Sequence, residues 1–160
     1  MTISEPQKRI SERALTVWKI SACLHSLVVW LIAGGLITLT VLFDWPYWII
    51  GAALMVAALY SYLFIFFLPT LRWKRWRYEV REQEIELQYG VFIIKKTLIP
   101  MIRVQHVDTQ QGPLLRKYRL STVTVSTAAT VHEIPALDME EAENLRTSIS
   151  RLARVADEDV

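Results

Sequence analysis

From Ile20 to Leu68 the chain carries no Lys or Arg and a single acid, Asp44. That stretch constrains the fold more than any other feature. It consists of two apolar runs, Ile20 to Phe43 and Trp48 to Leu68, separated only by Asp44-Trp45-Pro46-Tyr47. Each run exceeds the ~20 residues that cross a hydrocarbon core of ~30 Å as a helix. Neither shows the polar face at helical spacing that a core helix of a soluble protein would present. A secretory signal peptide is the rival for the first run. That run is too long for an h-region, has no Ala-x-Ala cleavage pattern and is followed at once by a second apolar run.

The short connection makes the two helices an antiparallel hairpin with both ends on one side of the membrane. Lys8, Arg9, Arg13 and Lys19 precede the hairpin, Arg72, Lys74, Arg75 and Arg77 follow it, and the connecting loop has no positive charge. The positive-inside rule then puts both termini in the cytoplasm of a multi-pass protein of the cell (inner) membrane. Trp45, Tyr47 and Trp48 mark the outer interface, and Trp18, Trp73 and Trp76 the inner one. The expected division is a cytoplasmic N-terminal segment (1–19), a transmembrane hairpin (20–68, loop 44–47), a basic juxtamembrane linker (69–75), a cytoplasmic domain (76–155) and an acidic tail (156–160).

Within the hairpin, Ala53, Ala57 and Ser61 form a small-residue stripe, and Gly34 and Thr38 a similar notch. Such stripes let helices approach closely in lipid. Packing inside the hairpin is the plainer use for them; a seam for another membrane protein is the sharper one. His25 and Trp30 are the odd residues of the first run. With no intramembrane carboxylate to pair with, His25 reads as a hydrogen-bonded neutral imidazole rather than a transport site. Cys23, the only cysteine, excludes an internal disulfide and a thiolate metal site.

Beyond Trp76 the pattern changes to short strands. Glu84-Ile85-Glu86-Leu87-Gln88-Tyr89 alternates polar and apolar residues as a half-buried strand does. Gly90 punctuates it, and Val91-Phe92-Ile93-Ile94 reads as a second strand resuming at once. Further strands are expected over Thr97 to Ile99, Ile102 to Thr109, Ser121 to Thr127 and Thr130 to Pro135. Leu114 to Tyr118 suits a single helical turn. Asp138 and Glu141 have capping-box-like spacing. Met139, Ala142, Leu145, Ile149 and Leu152 then make one apolar stripe of a helix of about four turns, with Asp157-Glu158-Asp159 fraying at its end. The fold class is a membrane α-helical hairpin joined to a mainly β domain.

The order of Trp76-Arg77-Tyr78-Glu79-Val80, Gln88-Tyr89-Gly90-Val91-Phe92, Ile99-Pro100, Arg103-Val104-Gln105-His106-Val107, Gln111-Gly112-Pro113-Leu114 and Ile134-Pro135-Ala136-Leu137 resembles the bacterial pleckstrin-homology-like (PH-like) family of small membrane proteins, the YdbS-like group. The resemblance implies a strongly bent sheet or partial barrel of about seven strands closed by a C-terminal helix. It also implies non-catalytic work at the membrane, often beside a larger membrane partner with the same type of domain, and in some relatives resistance to membrane-active peptides. Two positions depart from the family pattern. Arg119 stands where glycine is usual before the strand at Leu120, and Ala129 where glycine usually follows the Thr-Ala pair.

Catalytic constellations are not evident. His106 and Asp108 share a strand face without a nucleophile, His132 and Glu133 read as solvated strand residues, and no phosphate loop or metal spacing is present, so no catalytic, cofactor-binding or metal-binding residue is expected. Charge is distributed unevenly: eleven Lys/Arg against five Asp/Glu between Arg72 and Arg119, then three against eight from Leu120 onward. Candidate lipid or partner contacts are Arg72, Lys74, Arg75, Arg77, Lys95, Lys96, Arg116, Lys117 and Arg119, with Arg103 in the same basic set. Positive flanks set topology whether or not they bind lipid, which is the plainer account of the first four. Nucleic acid is not expected, because exposed aromatics are not interleaved at a module spacing. The expected function is a membrane-tethered interaction module with a membrane protein partner or a second copy of itself. Direct binding of anionic lipid and service as an accessory subunit of a membrane enzyme or transporter are the alternatives.

Overall fold

The computed structural model describes residues 6–158. The chain forms two compact units, one of Leu15–Leu71 and one that joins the stretch up to Ala14 to the part from Arg72 onward.

Helix α1 (Arg13–Leu42), which from Leu15 onward belongs to the first unit, leads to α2 (Trp48–Tyr62), a π-helical turn (Leu63–Phe67) and α3 (Leu68–Arg75), whose residues from Arg72 belong to the second. The last three run on as one 28-residue helix, and both helices are long and apolar enough to cross a membrane. Asp44, at φ 50°, turns the chain between them, a conformation that Asp tolerates better than most residues. The π turn has an identifiable cause. Pro69 has no N–H and its ring would meet the carbonyl four residues back, so the helix widens just before it. Leu68 N–H bonds to Leu63 O, five residues back, and Thr70 Oγ1 donates to Phe66 O over 2.7 Å. Backbone groups loosened by the proline thus find partners inside the helix, as lipid requires.

The second unit contains a four-stranded antiparallel sheet, β1-β2-β3-β4, and a three-stranded one, β5-β6-β7. The strands are β1 (Lys8–Arg9), β2 (Arg77–Val80), β3 (Glu84–Tyr89), β4 (Lys95–Pro100), β5 (Val104–Gln110), β6 (Leu120–Thr127) and β7 (Val131–Asp138). A short helix α4 (Pro113–Lys117) precedes β6, and helix α5 (Met139–Glu158) follows β7 directly and packs across β5, β6 and β7. Tyr78, Ile85, Leu87, Met101, Val123, Val125, Ile134 and Ile149 form the core, each at most 1% exposed.

Several details differ from the sequence expectation. The strand that completes the seven comes from before the first apolar helix: Lys8 pairs with Tyr78 and Arg9 with Arg77, while Ile10 and Ala14 are buried. Trp76 is 4% exposed and stacks on Tyr89 in the β unit, so it is a core residue and not an interfacial marker. Residues 69–75 are helical. Val91–Ile94 is not a strand: the β3–β4 ladder closes at Tyr89↔Lys95, and the residues between form the hairpin loop. Gly90, at φ 135°, leaves the strand conformation and ends the pairing. In α5, Ala142, Leu145 and Ile149 are buried as expected, but Met139 is 53% exposed, and Asp157 and Glu158 are still helical. Asp159 lies outside the described residues.

The two unusual positions behave differently. Arg119 takes φ 55° just after α4, the left-handed conformation in which glycine costs nothing. Among the described residues the positive-φ positions do not include Ala129. An Arg119→Gly chain is expected to gain about 1 kcal/mol of stability in the β unit, visible as a higher urea midpoint. A third left-handed residue after Asp44 and Arg119, Ala136 at φ 51°, sits where β7 places Pro135 and Ala136 opposite Thr122 alone. This bulge accommodates the proline, and Ala136 O accepts a hydrogen bond from Ser11 N–H, which fastens the N-terminal stretch to the sheet.

Candidate interaction surfaces

Side-chain hydrogen bonds define the seam of the helical unit. Ser26, Ala33 and Thr40 of α1 are 4%, 7% and 0% exposed, and Ala57 of α2 is 1% exposed. Their seven-residue spacing on α1 is that of a left-handed helix pair. Ser61 Oγ donates to Ala57 O (2.8 Å) and accepts from Ser26 Oγ (2.6 Å) and Trp30 Nε1 (2.9 Å). Of the small residues singled out in the sequence, Ala57 and Ser61 therefore lie in this seam and Ala53 is half-buried beside it. Gly34 and Thr38 are both exposed, with open space around the position of a Cβ at Gly34. His25 is exposed and its Nδ1–H donates to Ser21 O at 2.7 Å.

The nine basic candidates fall into two groups. Arg72, Lys74 and Arg75 end α3, Arg77 opens β2, and Lys95 and Lys96 open β4. Strand register lines up Arg9, Arg77, Gln88 and Lys96 as one row across the four-stranded sheet. Arg75 donates to Val91 O, and Lys95 Nζ stands 5.9 Å from the centre of the Tyr89 ring. The second group, Arg116, Lys117 and Arg119, belongs to α4 and its C-terminal end, which pack on β6. There Arg13 forms an ion pair with Asp138 (3.1 Å) and donates to Tyr118 O.

The four-stranded sheet also carries an acidic cluster. Arg81 binds Glu79, Glu84 and Glu86 at 3.0, 3.0 and 3.1 Å. Hydrogen bonds to Glu79 and Glu84 push the guanidinium pKa up. This clasp explains how Glu86, 5% exposed, lies on the second face of a strand expected to be only half-buried. The carboxylate of Glu141 accepts from the Tyr78 hydroxyl at 2.7 Å. Burial, and then that carboxylate, push the Tyr78 pKa up.

A groove runs between β5 and α5. Among the described residues β5 pairs with β6 alone, so its other edge is open to a further strand. Gln105, His106 and Val107 form one wall, and Ser150, Arg151 and Arg154 of α5 the other. Gln105 is an extra residue in the ladder, since Val104 pairs with Thr127 and His106 with Ser126. His106 and Asp108 are both exposed. His132 meets Thr130 Oγ1 at 2.8 Å. Among the described residues, no three His, Cys, Asp or Glu side chains gather in a way that could hold a metal ion. The arginines of α5 are hidden in a C-terminal part that is acidic overall; their spacing along one helix face was the available signal.

Comparison with known proteins agrees with this architecture. A family model described as "Bacterial PH domain" matches residues 20–153. The chain is 53% identical over 156 residues to the "UPF0699 transmembrane protein YdbS" of Bacillus subtilis (strain 168), covering 98% of each protein. It is 26% identical over 83 residues to the "UPF0699 transmembrane protein YdbT" of the same organism, covering 49% of this chain and 17% of that protein. No solved structure gives a significant match. A full-length likeness to a transmembrane protein, two apolar helices of spanning length and a β unit closed by α5 lead to one statement: the chain belongs to the bacterial PH domain family, in its YdbS-like membrane group.

Proposed function

We propose that the protein spans the inner membrane twice, with Ile20–Phe43 and Trp48–Leu68 in lipid and both termini in the cytoplasm. There it holds its PH-like unit at the inner leaflet as a non-catalytic interaction module for a partner membrane protein. The observation that supports this most is the groove between the free edge of β5 and α5. An extended partner segment can add to such an edge through main-chain hydrogen bonds, while flanking side chains select it. Arg146, Arg151 and Arg154 line the α5 side together with Asp157 and Glu158, a small excess of positive charge that favours a segment with acidic side chains.

A photo-crosslinking residue at His106 in the full chain, in its native membrane, is expected to capture another membrane protein. Arg151→Glu together with Arg154→Glu should remove that adduct while leaving the circular dichroism spectrum unchanged. An adduct that survives both reversals contradicts the groove as the recognition site. A second reading, service as an accessory subunit through the helical hairpin, is favoured by the open notch at Gly34 and Thr38. Gly34→Leu would abolish partner recovery under that reading and leave it intact under the first.

A further inference from the structure

Phe92 and Ile93 are 81% and 84% exposed, more than any other large hydrophobic side chain of the described residues, those of the apolar helices included. They stand at the tip of the β3–β4 loop, which holds no polar side chain from Val91 to Ile94. Such a tip, left in water, is an unsatisfied apolar patch that marks a contact.

The base of the loop is held by residues at the end of the second apolar helix and just beyond it. Arg75, the last residue of α3, donates to the Val91 carbonyl. The next residue, Trp76, stacks on Tyr89 at 5.9 Å, and Lys95 covers the same tyrosine ring. Gly90 makes the turn possible, because a Cβ there would lie 1.9 Å from Ile93 O. The loop is therefore a braced projection and not a slack connection. Directly behind its apolar tip come Lys95 and Lys96, both exposed.

We propose that the Val91–Ile94 loop is a wedge that enters the interfacial layer of an anionic bilayer, Phe92 and Ile93 among the upper acyl carbons and Lys95 and Lys96 at the lipid phosphates. Two observations select lipid as the occupant. One is continuity along the chain: Arg75, which holds the loop, follows Leu68, the last residue of the second apolar run, by only seven positions. The other is the pattern itself, an apolar tip backed by adjacent lysines, which suits acyl chains beneath a negatively charged headgroup layer. The wedge adds a second membrane contact to the β unit and does not depend on the β5–α5 groove.

The test uses the full chain with Cys23→Ser, reconstituted in phosphatidylcholine–phosphatidylglycerol vesicles. An environment-sensitive fluorophore is placed at Ile93→Cys, in a second chain at Phe92→Cys, and in a control at Thr147→Cys on α5. Lipids carrying a nitroxide near the headgroup are expected to quench positions 92 and 93 and to leave 147 bright. Lys95→Glu with Lys96→Glu, or vesicles of phosphatidylcholine alone, should reduce that quenching. A label at 92 and 93 that is as bright as at 147 overturns the proposal. So does a blue-shifted label that the nitroxide does not reach, since protein would then cover the loop.

Discussion

Replacing Gly90 by alanine is expected to lower the stability of the β unit by about 3 kcal/mol, and the melting temperature by roughly 10–20 °C. Two causes add. Gly90 sits at φ 135°, a region that side chains with a Cβ rarely enter. The new Cβ would also lie 1.9 Å from Ile93 O and 3.0 Å from Ile93 C, both backbone atoms that cannot swing aside. Relief requires the loop to open, which breaks the Tyr89↔Lys95 pair and the Arg75 bond to Val91 O. Urea titration of the full chain in detergent, followed by tryptophan fluorescence, reads the loss, with Trp76 stacked on Tyr89 as the local reporter. A change below about 0.5 kcal/mol, the range of ordinary surface substitutions, would show that the turn is not as constrained as its geometry requires.

Tyr78→Phe is expected to cost about 1–2 kcal/mol at neutral pH, because the buried hydroxyl donates to a carboxylate, Glu141. Alkali makes the larger difference. The folded-state pKa of Tyr78 is raised by burial and then by Glu141, whereas an unfolded tyrosine ionises near 10. Above that pH the unfolded chain binds fewer protons than the folded one, so stability falls as pH rises. The contribution is fully present below about pH 10 and is lost at up to ~1.4 kcal/mol per pH unit above it. Phenylalanine has no proton to lose, so this part of the slope disappears. Urea midpoints that differ at pH 8 should therefore converge for the two chains by about pH 11.5. Parallel loss in both would mean that Tyr78 does not carry the alkaline sensitivity.

The membrane helices and the PH-like β unit were legible for a physical reason. Lipid leaves no alternative to an uninterrupted apolar run, and Ile20 to Leu68 contains one acid and no Lys or Arg. Alternation at Ile85, Leu87, Val123 and Val125 follows from the period of a strand. What stayed hidden depends on long-range partners. Lys8 and Arg9 form a strand only because β2 offers its edge, and their composition carries no strand signal. Val91–Ile94 has strong β propensity, yet Gly90 turns it out of the sheet. The seam of the hairpin uses Ser26 and Ala33 rather than the neighbouring Gly34 notch, a choice set by rotation about the helix axis and invisible in residue size alone. Basic residues could be found one by one, but their grouping around β4 and around α4 needed the register.

Topology is the claim on which the proposed function stands, and cysteine labelling in intact cells tests it most directly. In a Cys23→Ser chain, Tyr47→Cys in the short connection should react with a membrane-impermeant maleimide added from outside, and Gln105→Cys on β5 only after the cells are permeabilised. Labelling at position 105 in intact cells, with position 47 protected, would place the β unit outside and contradict the account.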